Sequence, residues 1–119
     1  MVQETYCLNK MNEIGQGDQT FVNSMLVTFV ENVSNALEKI KILKLDENWV
    51  GIAEISHKLA SNFAYLESKS LQAIASDIEK SVLNENNLIG IADKTEKLCK
   101  DTSLLVEQLK KDFDFLNTN

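Results

Sequence analysis

The 119-residue chain contains no proline and a single histidine. Proline removes a backbone donor and clashes with the preceding turn of a helix, so its absence suits a chain that is mostly helical. Only four glycines occur, which leaves few sharp turns. Two cysteines, Cys7 and Cys99, lack the close spacing of a zinc or redox motif. They read as reduced, partly buried apolar residues in a reducing cytosol. No apolar run approaches the about 20 residues of a membrane span. Met1-Val2-Gln3-Glu4-Thr5 has neither the basic region nor the apolar stretch of a signal peptide. The expected compartment is the cytoplasm. Positive charge is also in the minority, with a net charge of −6 and a pI near 4.7. That sign repels nucleic-acid phosphates and anionic lipid, so neither nucleic acid nor a membrane is expected as a partner.

What remains is ordinary in amount, with 44% hydrophobic and 25% charged residues, and patterned for helix. The length fits one domain over 1–119, large enough to bury a core without staples. A short helix is predicted over Leu8 to Ile14, ended by Gly15-Gln16-Gly17. Asp18 is placed to cap a second helix from Gln19 to about Leu43, with Phe21, Met25, Phe29, Val33, Leu37 and Ile40 on one face. Leu45-Asp46-Glu47-Asn48 holds two possible caps for a third helix, Trp49 to Leu66. A fourth follows Ser68 or Ser70, and a fifth spans about Leu88 to Leu116, with Gly90 as a mild defect near its start. Short breaks make consecutive helices antiparallel neighbours. The expected fold is all-α: an antiparallel up-down-up-down four-helix bundle with a short additional N-terminal helix.

His57 lies in the third helix but off its apolar stripe. Trp49, Ile52, Ile55, Leu59, Phe63 and Leu66 share one face, and His57 is about 140° away on the wet side. Its helical neighbours Ala53, Ala60, Ser61 and Ala64 are small. An exposed imidazole ringed by small side chains can be approached closely by another protein. Trp49, Phe63, Tyr65 and Leu66 read as packing rather than contact residues.

The run His57-Lys58-Leu59-Ala60-Ser61-Asn62 resembles the signature of the histidine-containing phosphotransfer (HPt) family, a histidine followed by x-Leu-Lys-Gly-Ser. Leu8 to Asp18 and Phe21 to Phe29 resemble the family's opening helix, Gly-Asp turn and second helix. Asn48-Trp49 looks like its turn into the active helix, and Leu71 to Glu79 like the helix after it. The likeness covers about Leu8 to Glu79, and the C-terminal helix by pattern alone. It implies a helical bundle that carries a phosphoryl group on His57 between receiver-domain aspartates. The implied partners are response-regulator receiver domains and a hybrid sensor histidine kinase of bacterial two-component signalling. The chain itself would be a monomer and would hold no cofactor or metal, Mg²⁺ being expected only on the receiver. Two departures stand out. Ala60 occupies the place of the family's lysine, which would offset phosphoryl charge, and Ser61 that of its glycine. Lys58 projects about 100° away around the helix and does not obviously replace the missing lysine.

Neutral imidazole offers a nitrogen lone pair near pH 7, and phosphoryl transfer depends mainly on placement and charge neutralisation. By the resemblance, Nε2 would react while Nδ1 keeps its proton, with Glu54 or a main-chain group as acceptor. Ser61 is a candidate hydrogen-bond donor to the phosphoryl oxygens. Ala53, Ala60 and Ala64 would form the docking surface, with Glu54, Lys58 and Ser61 in support. Glu54-Ile55-Ser56-His57 also spells the Glu-x-x-His element of di-iron bundles, but those sites need two histidines. No Gly-rich nucleotide cradle occurs, so no kinase or hydrolase activity is expected. The competing reading is an adaptor that binds receiver or kinase domains without passing phosphate, favoured by Ala60.

Overall fold

A computed structural model describes residues 6–117. Residues 1–5, read above as no leader, lie outside the described part, as do residues 118–119. All regular structure among the described residues is helical: α1 (Asn9–Ile14), α2 (Gln19–Leu45), α3 (Trp49–Tyr65), α4 (Lys69–Glu79) and α5 (Ile91–Asp112). A π-helical turn, Lys80–Asn84, continues α4, and a 3₁₀ turn, Asp114–Asn117, follows α5.

The breaks form where the side chains offer the backbone an alternative. Asp18 Oδ1 accepts from the amides of Thr20 and Phe21 at 3.0 and 3.3 Å, the expected N-cap of α2. Asn48 Oδ1 does the same for Gly51 at 2.9 Å at the start of α3. Gln16, Gly17, Glu47, Glu67, Asn86 and Gly90 all adopt positive φ in the connections. Gly90 is therefore no defect inside a helix. At φ 72° it is the left-handed residue that precedes α5, which begins at Ile91 rather than near Leu88. The same helix stops at Asp112, because Phe113 is extended.

One contiguous apolar core joins the helices. It takes Leu26 and Ile40 from α2, Ile52 and Phe63 from α3, Leu71 and Ile78 from α4, and Leu98 and Leu105 from α5, all essentially inaccessible. Phe63 meets Phe29 edge-on with centroids 6.4 Å apart, a favoured aromatic geometry. The closest helix pairing is α3 with α4. The 27 residues of α2 would span about 40 Å at helical rise, which accounts for a long axis of 43 Å against 27 Å across.

Three side chains differ from their expected places. Phe21 and Tyr65 are each 45% exposed instead of buried. Trp49 is only half-buried at the start of α3. No helix among the described residues is long and apolar enough to cross a membrane.

Candidate functional site

α3 is buried along a wider band than its apolar residues mark. Ile52, Leu59 and Phe63 are inaccessible, and so are Ala53 and Ser56. The most extensive packing of α3 is with α4 and its π turn. Small side chains there permit close helix approach. Ser56 Oγ is buried without a hydrogen-bond partner.

Ala53 is thus a packing residue and not part of an exposed docking surface, contrary to the expectation from spacing. Ala60 and Ala64 are half-buried. Glu54, His57, Lys58 and Ser61 are exposed. The surface around the histidine is therefore built from these four, with the two alanines at its edge.

The His57 side chain is 66% exposed, yet its ring is anchored. Nδ1 lies 2.8 Å from Glu79 Oε2 at the last residue of α4. A carboxylate only accepts, so Nδ1 carries the proton and donates it. In the neutral ring that leaves the lone pair on Nε2, directed away from α4. The Glu79 side chain is 29% exposed, which shelters the bond without removing it from water. Glu54, proposed as an acceptor, is not the partner in this contact. Sequence reading missed Glu79 because the two residues lie on different helices. A partial signal existed, since both stand at similar distances along their helices from the Leu66–Ser68 turn.

The π turn begins one residue after Glu79. Its marker is the amide of Glu85, which donates to the carbonyl of Lys80 at 2.9 Å. The wider turn lets the consecutive residues Ser81 and Val82 both face inward. Lys94 on α5 reaches this region, 2.9 Å from Asp77 and 3.3 Å from Ser81 Oγ. That end of α4 is thereby tied to α5, and Glu79 projects from a held segment.

Other groups lie away from the histidine. Tyr6 donates to Asp112 Oδ2 at 2.6 Å; burial first, then this carboxylate, pushes its phenol up to about 12. The Tyr6 and Gln108 hydrogen bonds hold Asp112 below the usual carboxylate range. Burial raises the Cys99 thiol, against the opposing charges of Lys44 and Lys41. Among the described residues, no cluster of histidine, cysteine and carboxylate side chains is arranged to hold a metal ion.

No family model, curated protein or solved structure matches this chain. The geometry on its own supplies an exposed imidazole held at Nδ1 by Glu79.

Proposed function

We propose that this protein is a histidine phosphotransfer intermediate of the HPt type, folded as an antiparallel four-helix bundle with a short leading helix. It accepts a phosphoryl group on His57 from a receiver-domain aspartate and passes it to another receiver. The observation that carries the reading is the Nδ1-to-Glu79 hydrogen bond on an otherwise exposed ring.

The step follows from that arrangement. The Nε2 lone pair attacks phosphorus of the partner's aspartyl phosphate, in line with the bond to be broken. The P–O bond to the aspartate breaks and its electron pair leaves on the carboxylate. The new N–P bond makes the ring cationic while Nδ1 keeps its proton. Glu79 then offsets the charge that develops on the ring. The reverse step returns the pair to Nε2 when a second aspartate attacks. Mg²⁺ would come with the receiver, and Ser61 is exposed one turn from the ring to donate to the phosphoryl oxygens.

The test is incubation with a phosphorylated receiver domain. Label is expected on this chain, stable to base and lost in acid, as a phosphoramidate behaves. His57→Gln should abolish it with the helical circular dichroism unchanged. Label that persists in that variant defeats the assignment. Receiver binding without label would favour the adaptor reading that Ala60 suggests.

A further inference from the structure

Two adjoining grooves run between α2 and α3, each of about 360 Å³. They share the lining residues Asn32 and Asn62 and so lie next to one another, two halves of a trench along α2 and α3. Its two halves differ in chemistry. The half nearer α1 is lined by Met11, Phe21, Met25, Phe29 and Tyr65 and by no charged residue. Phe21 and Tyr65 stand half-exposed there with nothing covering them among the described residues. The other half is lined by Lys39 and Lys58 with Asn32, Asn35 and Asn62, and by no carboxylate.

The chain as a whole carries a net charge of −6. Four of its lysines face acids: Lys41 with Glu38, Lys44 with Glu96, Lys94 with Asp77 and Lys97 with Asp101. Lys39 and Lys58 have no ion pair among the described residues. Glu31, Glu38 and Glu54 are exposed nearby in sequence but do not line the groove. The two cations are left facing a concave surface rich in amides.

We infer that the trench is a directional docking track for an amphipathic segment of a partner protein, apolar at the Phe21 end and acidic at the Lys39–Lys58 end. The apolar half supplies contact area. The basic half selects carboxylates and fixes which way the segment lies, since a reversed segment would set its acids against apolar walls. From Phe21 to Lys39 the track is about 27 Å long at helical rise, the length of an 18-residue helix. Lys58 follows His57 in the chain but projects about 100° away around the helix, so a seated partner lies on the neighbouring face of α3. The inference adds a foothold to the proposed function and does not depend on phosphoryl transfer.

The test uses the full chain, ¹⁵N-labelled, and a synthetic helix-favouring peptide of 18 residues. The peptide carries leucines at i, i+3 and i+7 in its first half, glutamates in its second, and a nitroxide at the acidic end. Amide shifts are expected along α2 and α3, with the nitroxide broadening Lys39 and Lys58 more than Phe21 and Met25. The double variant Lys39→Glu/Lys58→Glu should raise the dissociation constant about tenfold, as several weak exposed charge contacts are reversed together. Lys100→Glu/Lys111→Glu is the control and should bind as the parent does. No shift at millimolar peptide, shifts on another face, or unchanged binding by the Lys39/Lys58 variant would each overturn the inference. So would trench shifts that grow with protein concentration alone, since a second copy would then be the occupant. The peptide carries no phosphoryl group, so this result and label transfer to His57 succeed or fail separately.

Discussion

A histidine bonded at one nitrogen is a different reagent from one that is free to rotate. Glu79 fixes both the ring's orientation and the position of its proton. It acts through His57, as a positioning residue, and its removal should be felt in rate. Glu79→Ala is expected to slow labelling about tenfold to a hundredfold, with Glu79→Gln restoring most of the rate because its carbonyl still accepts from Nδ1. Imidazole ¹⁵N shifts check the cause: the alanine variant should show mixed tautomers and the glutamine variant should not. Tyr6 offers a second single-residue test. Its native phenol holds a proton up to about pH 12, whereas the ordinary value is 10.0. Between those values the folded state binds more protons than the unfolded one, so stability falls as pH rises through the window. Asp112 works in the opposite sense: its contribution is present above the ordinary carboxylate range and is lost as pH drops through its depressed native value. Urea midpoints measured against pH should therefore lose the alkaline slope in Tyr6→Phe and keep a reduced acid slope, since Gln108 still donates to Asp112.

At the scale of the element, α3 is defined as much by its small residues as by its large ones. Ala53 is inaccessible, so Ala53→Leu is expected to cost about 1–3 kcal/mol through overpacking, measured by urea unfolding. A substitution on an open docking face would be nearly neutral. The helix count, the caps at Asp18 and Asn48, and the core positions of Leu59 and Phe63 were legible because they follow from spacing and capping chemistry within one segment. His57 was legible as exposed for the same reason. Ala53 was not, because periodicity marks apolar size and cannot see that small residues admit a second helix. Glu79 was not, because the pairing crosses between helices and precedes a π turn with no reliable sequence signature. The start of α5 was misplaced because glycine tolerates both helical and left-handed backbone. At φ 72° with open space around it, Gly90 resists replacement on backbone grounds alone. Gly90→Ala should cost about 1–2 kcal/mol in the same unfolding measurement.

Taken whole, the molecule is held at one end by contacts between the beginning and the end of the described chain. Tyr6 meets Asp112 by hydrogen bond, and its ring lies 6.3 Å from that of Phe113. The amide of Cys7 donates to the Leu66 carbonyl at 2.7 Å, which ties the same strand of backbone to the α3–α4 turn. A permutant that joins Asn117 to Tyr6 through a glycine-serine linker, and opens the chain at the exposed Asn86, should still unfold cooperatively with helical circular dichroism intact. Loss of cooperativity would show that the order of segments along the chain, and not their packing alone, sustains the fold. The meeting of residue 6 with residues 112–113 carries an architectural consequence. A stretch of chain bounded by these residues opens and closes side by side, which suits it to being spliced into a surface loop of a host protein as a cassette. Such a graft would leave the host's flanking backbone almost where it was.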